Sequence, residues 1–225
     1  MRKSLQKIFL ISSFLFIAIN VFADAELCPW IGRGTVYFKE LSGTICDRIS
    51  NGVTMKDFKN GRRSIGMDCL YNTEEDFKVG IRLACLDGGL KYKKFTIEKE
   101  SKKDVKLEGS YEASSFFMMY GGSYSKKISK KLNLNGKLFF GVNFINFKSE
   151  QSVFVENKNI DTKKVNEDVV CFVSDFSIGA ECLFMKRFGL GFDVGYRFTP
   201  EVVPSKDIKI DFSGFVYNLG ISYKL

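Results

Sequence analysis

Histidine is absent from the 225 residues, and that absence removes a large class of chemistry. A Ser–His or Cys–His nucleophile has no imidazole to take its proton. A mixed Cys/His zinc site is equally excluded. Proline is scarce, at 3 residues, so few positions forbid a ladder hydrogen bond. Beyond residue 23 no apolar run approaches the roughly 20 residues that a membrane-spanning helix needs. The net charge of +8 comes without a basic helix or a nucleic-acid motif. Most of the lysines fall in polar segments that read as loops, so nucleic acid is not expected as a partner.

Aromatic residues are abundant, with 23 Phe alone, and Gly reaches 20. They are arranged with a period of two. Phe215, Tyr217, Leu219, Ile221, Tyr223 and Leu225 alternate with Val216, Asn218, Gly220, Ser222 and Lys224. Such alternation describes a strand with one greasy and one small or polar face. It recurs over Phe188–Phe198, Phe176–Phe184, Leu132–Phe144 and Phe77–Cys85, and more weakly over Lys106–Ser125, Ser64–Tyr71 and Trp30–Lys39. Short turns at Asn72–Asp76, Lys126–Lys131 and Met185–Arg187 alternate with longer polar links at Leu41–Arg63, Glu98–Val105, Lys148–Asp168 and Thr199–Asp207. The expected fold is therefore all-β: an eight-stranded antiparallel up-and-down transmembrane barrel, with short periplasmic turns and longer outside loops. At Asp87–Gly89 and Ser213–Gly214 the apolar parity shifts, which predicts a bulge or the point where a strand leaves the membrane.

Residues 1–23 have a basic start, an apolar stretch from Ile8 to Phe22 and a Val21-Phe22-Ala23 cleavage site, the order of a secretory signal peptide. Residues 24–225 then form the barrel domain. Ala25-Glu26-Leu27 is a poor lipobox for Cys28. The six cysteines fit no zinc or thioredoxin spacing. Cys69, Cys85 and Cys182 alternate with apolar residues and read as small hydrophobes. Cys46 and Cys171 are candidates for a bridge. No metal or cofactor is expected.

The greasy face could point outward to lipid or inward around a ligand. The other face is rich in Gly, Ser and Asn, which suits the crowded interior of an eight-stranded barrel better than a water-exposed surface. That puts the ionisable residues Arg33, Asp68, Lys78, Arg82, Glu108, Glu112, Lys137, Asp175, Glu181, Asp193 and Arg197 in the lumen. Both signs are present, so salt bridges are expected there. Glu108 and Glu112 share a face, as an acid-pair hydrolase would need. Two inward residues four apart are also ordinary for a strand.

The terminal strand resembles the assembly signal of the small eight-stranded outer-membrane barrels, the OmpA/OmpX-type superfamily. Its elements are the polar Asn218, then Gly220, Tyr223 and the apolar Leu225, which stands where that group usually has an aromatic residue. The resemblance covers residues 30–225. It implies an outer-membrane location after signal-peptide cleavage and recognition by the barrel-assembly machinery, and it brings no catalytic residue. The function expected is that of a non-enzymatic anchor whose loops serve envelope integrity, adhesion or partner binding. Lys and Arg in those loops (Arg48, Lys56, Lys59, Arg62, Lys158, Lys163 and Lys164) could meet lipopolysaccharide phosphates or a host surface. A small porin-like channel and a secreted lipocalin-like barrel are the alternatives.

Overall fold

The computed structural model describes residues 25–40, 58–97, 104–205 and 208–225. The signal-peptide segment, Arg48, Lys56 and Cys46 lie outside them. Ten strands follow one another: β1 (Ala25–Glu40), β2 (Phe58–Asn72), β3 (Phe77–Ile97), β4 (Asp104–Lys127), β5 (Leu132–Val155), β6 (Lys158–Leu183), β7 (Phe188–Phe198), β8 (Val202–Ser205), β9 (Ile208–Asp211) and β10 (Gly214–Lys224). Seven of them, β1 to β7, pair antiparallel with their sequence neighbours, and β10 joins β7 to β1. The barrel so closed has eight strands. Closure matters because it leaves no open edge in the wall.

The short turns gather at one end. Ile128 N–H reaches Leu132 O at 2.9 Å, and Thr73 N–H reaches Phe77 O at 3.0 Å. At the other end the strands run further than the period-two pattern alone shows. The segment Lys148–Asp168 is not an irregular loop but the end of a long hairpin. Its turn is Glu156–Asn157, with φ of 50° and 65°, closing Val155 against Lys158. Two residues with positive φ match the twist of a hairpin. The link Thr199–Asp207 likewise holds a short strand, β8, which pairs with β9 just beyond it, and β9 pairs with the upper part of β1. β1 also starts earlier than its aromatic pattern, at Ala25 rather than Trp30.

The two parity shifts have different causes. At Ser213–Gly214 the strand does break: β9 ends at Asp211 and β10 resumes at Gly214, whose φ is +141°. That backbone conformation suits glycine. A Cβ there would also run into the Thr35 hydroxyl, which donates to Ser213 O at 2.8 Å. Gly214→Ala should therefore lower stability by about 1–3 kcal/mol. The check is the urea midpoint of the folded barrel in detergent; an unchanged midpoint would contradict the assignment. At Asp87–Gly89 no bulge exists. The β3–β4 ladder runs unbroken through Asp87↔Ser114, Gly88↔Ala113 and Gly89↔Glu112. Facing is unchanged there, and what changes is which side is apolar.

That exchange organises the whole molecule. On β5 the outward residues Leu132, Leu134, Leu138, Phe140, Val142 and Phe144 give way to Asn146, Lys148 and Glu150. The inward ones change oppositely, from Asn133, Asn135 and Lys137 to Phe139, Ile145 and Phe147. β6 does the same, from inward Asp175 and Ser177 to Val173, Val169 and Val165. Leu132 to Phe144 spans roughly 40 Å of strand at about 3.3 Å per residue. With a tilt near 45° that covers about 28 Å along the barrel axis, close to the ~25 Å apolar band of such barrels. Above the band the barrel is built like a water-soluble one, with its apolar side chains within.

Candidate functional site

The lower lumen is a packed ionic network. Arg82 on β3 grips Asp68 on β2 with two hydrogen bonds, Nε to Oδ1 and Nη2 to Oδ2, both 2.7 Å. Its Nη1 stands 3.3 Å from Asp175 Oδ1 on β6. Asp175 Oδ2 accepts from Arg197 Nη2 of β7 at 3.0 Å. Lys137 on β5 reaches Asp193 at 2.7 Å and Asp68 at 3.5 Å. Nearer the turns, Lys78 pairs with Glu26 at 2.6 Å, while Glu181 accepts from Asn133 at 2.9 Å and from the Ser222 hydroxyl. Alternation places each of these side chains inward, and the narrow barrel forces them together.

Aromatic rings cap the network. The Arg82 guanidinium lies 4.3 Å from the Phe139 ring centre, and that of Arg197 lies 4.1 Å from Phe117. Trp30, inward between Gly66 and Gly220, donates its indole N–H to Asp68 Oδ1 at 3.1 Å. Such stacking suits arginine, which is weakly hydrated and planar. Phe117 then meets Phe212 edge-on, beginning the apolar upper core with Leu86, Phe147 and Ile210. The lumen is thus filled twice, by charge below and by hydrocarbon above. The cavity between Glu26, Lys78, Lys137 and Asp193 is only about 30 Å³, room for about two water molecules.

Of the lumen residues expected from sequence, the structure brings together Asp68, Lys78, Arg82, Lys137, Asp175, Glu181, Asp193 and Arg197. It moves two others outside. Arg33 is exposed on the outer face of β1, and Glu112 is exposed on the outer face of β4. Both lie above the apolar band, where the polar side of a strand turns outward. No inward carboxylate pair is therefore formed by Glu112; the side chain of Glu108 lies outside the described residues. Cys171 packs against the upper core. Sequence reading missed Glu26, which precedes the expected first strand, although Glu26, Cys28 and Trp30 continue its inward parity. It also missed Phe117 and Phe139, two rings on an otherwise polar face.

Outside, many apolar residues of the band are well exposed, from Leu132 and Phe188 at 37 % to Tyr120 at 64 %, with others such as Val142 and Leu83 half-buried among them. A soluble protein does not leave a continuous belt of such side chains in water. Aromatic rings mark its lower edge, with Phe184 stacked on Phe188 at 6.1 Å and Tyr223 tilted against Phe188 at 4.8 Å. The fold is that of a small outer-membrane β-barrel. The lipocalin-like alternative, with the greasy face inward, is overturned by that exterior. No protein-family model matches the sequence, and no curated protein matches it. Among solved structures, the chain is similar to Ail, the attachment invasion locus protein of Yersinia pestis (18 % identity, TM-score 0.45, 90 % of this chain and 99 % of that one). It is also similar to the outer membrane protein OprG from Pseudomonas aeruginosa (10 %, 0.49, 91 % and 97 %). A third is the outer membrane protease OmpT from Escherichia coli (7 %, 0.47, 90 % and 97 %).

Proposed function

We propose that this protein is a non-enzymatic barrel of the bacterial outer membrane that holds a strand-built projection above the surface for adhesion or partner binding. The observation that carries this reading is the doubly filled lumen beneath strands that outrun the membrane. A transporter needs a continuous water path, and an enzyme needs a cleft with room for a substrate. Every charged group of the inner network instead has a charged or hydrogen-bonding protein partner. The projection is the hairpin of β5 and β6, where Lys158, Lys163 and Lys164 are exposed. Those lysines are the cations offered to lipopolysaccharide phosphates or to a host-cell ligand, and Arg48, Lys56, Lys59 and Arg62 of the segment 41–63, which belongs to β2 from Phe58 on and is not all loop, are proposed to add to them. Residues 1–23 direct export, and Asn218, Gly220, Tyr223 and Leu225 address the chain to the assembly machinery.

The test is reconstitution of the purified barrel in planar bilayers and vesicles. It should insert, shift in gel mobility on boiling, and give no unitary conductance above background. Reproducible single-channel steps would overturn the anchor reading in favour of the porin-like one.

A further inference from the structure

The lipid-facing wall is not the same all round. β5 to β7 carry Phe140, Phe172, Phe176, Phe192 and Tyr196 on their outer face. β1 to β3 carry no outward ring between Tyr71 and Phe77 at their foot and the charged residues above. Shorter side chains stand there instead, among them Pro29, Ile31, Ile65, Met67 and Cys85, and an apolar depression of about 510 Å³ runs along them. Two cylinders touch along a line, whereas a recessed face gives a neighbouring barrel width to pack against. In hydrocarbon, association depends on such packing and on polar contacts, because lipid tails already surround apolar side chains.

Charges crown this face. Arg33 and Arg63 are cross-strand partners on β1 and β2. The β2–β3 ladder reaches Ser64↔Leu86, so Asp87 stands beside Arg63 one residue further up. All three point outward and are exposed, and none makes an ion pair among the described residues. Charged side chains at the edge of a lipid belt are costly without partners. Facing like charges on paired strands, as in Arg33 and Arg63, also repel.

We propose that this face joins two copies of the chain within the membrane. Copies inserted in the same direction are related by a two-fold axis along the membrane normal, which requires a self-complementary surface. The charges supply one. With the axis between β2 and β3, the rotation reverses the order of strands and sets Arg63 of each copy opposite Asp87 of the other. The four groups then alternate in sign around the axis. The second carboxylate beside Arg63 offsets its repulsion from Arg33. The depression lies on the β1 side of the axis, so each copy receives there the β3–β4 wall of the other, from which the exposed Met118 projects. Pairing also sets two β5–β6 hairpins side by side, so a ligand with repeated groups is held at both. The dimer rests on the reading that the apolar belt lies in a membrane.

Energy transfer between donor- and acceptor-labelled barrels in phosphatidylethanolamine–phosphatidylglycerol vesicles tests it. Only barrels that insert and shift in mobility on boiling are compared. Wild type should associate. Arg63→Asp and Asp87→Arg should each weaken association at least about tenfold, because each sets four like charges around the axis. Mixing the two variants should restore it, since two carboxylates of one copy then face two guanidinium groups of the other. A charge effect confined to a single chain is not restored by mixing. Ile65→Trp, which fills the depression and leaves the charges, should weaken association as well and serves if a charge variant does not insert. Inserted wild type without energy transfer, variants that associate as wild type does, or a mixture that stays monomeric would overturn the dimer. Loss of the wild-type signal on adding lipopolysaccharide to the vesicles would give the face to that lipid and overturn it too. Failure of wild type to insert at all would overturn the membrane reading instead.

Discussion

Asp175→Asn should lower the stability of the folded barrel by roughly 3–5 kcal/mol, the usual range when one partner of a buried ion pair is removed. The substitution keeps the side chain's volume, removes its charge and turns one acceptor oxygen into an N–H donor that faces a guanidinium group. Asp175 is fully buried and lies between two fully buried arginines, 3.3 Å from Arg82 and 3.0 Å from Arg197. Arg82 retains Asp68. Arg197 retains no carboxylate among its described partners, and its Nε and Nη1 already lack a hydrogen-bond acceptor. The balance in the central cluster shifts as well: Arg82, Lys137 and Arg197 stand against Asp68, Asp175 and Asp193 before the change, and against two carboxylates after it. The Phe117 ring under Arg197 stabilises a cation but cannot neutralise it.

The urea midpoint of vesicle-inserted barrel gives the measurement, with Asp175→Leu/Arg197→Met as the companion. Removing both charges leaves Arg82 with Asp68 and Lys137 with Asp193. Replacing a complete buried pair with apolar side chains is often neutral, so the double variant should recover most of the loss. A single variant within about 0.5 kcal/mol of wild type would show that the network is hydrated rather than sealed. A double variant as unstable as the single would show that shape, not charge, dominates at this level.

The membrane-spanning half of the barrel was legible in the sequence because each strand there separates two solvents. Lipid selects Leu, Phe and Ile on one side, and a narrow lumen selects Gly, Asn and paired charges on the other. Hence Lys78, Arg82, Asp193 and Arg197 could be placed from parity alone. Above the band the same period-two signal changes meaning, since water now lies outside. Arg33 and Glu112 share the outward parity of Ile31 and of Met118 and Tyr120 lower on their strands, and they read as inward only when the lower equation of polar with inward is carried above the band. The hairpin tip was illegible for a related reason. From Lys158 to Lys164 every described residue of β6 is exposed, so neither face selects apolar side chains and no alternation remains. Only the Glu156–Asn157 turn fixes the register there, and a positive φ leaves a weak trace in residue type.

Deletion of residues 223–225 should abolish assembly while leaving export intact, and the seam shows why. Below Pro29, β1 and β10 share only the pairs Leu27↔Tyr223 and Glu26↔Lys224, completed by Leu225 N–H to Ala25 O at 2.9 Å. Lys224 N–H also ties β10 to the β6–β7 turn at Arg187 O, 2.9 Å away. The deletion removes all of these contacts together, along with the Tyr223 ring against Phe188. Above Pro29 four pairs remain, Trp30↔Gly220 to Arg33↔Tyr217. The stripped end of β1 would leave backbone N–H and C=O groups facing lipid, each costing several kcal/mol where no water reaches. It would also open the Lys78–Glu26 pair to the membrane. In cells the truncated chain should be exported and processed yet yield no species whose mobility shifts on boiling. Refolding into vesicles without any assembly machinery separates two causes. Failure there as well follows from the broken seam; efficient refolding would mean that these residues act only as an address. Normal insertion in cells would remove both roles, because the lower seam would then close without its own terminal pairs.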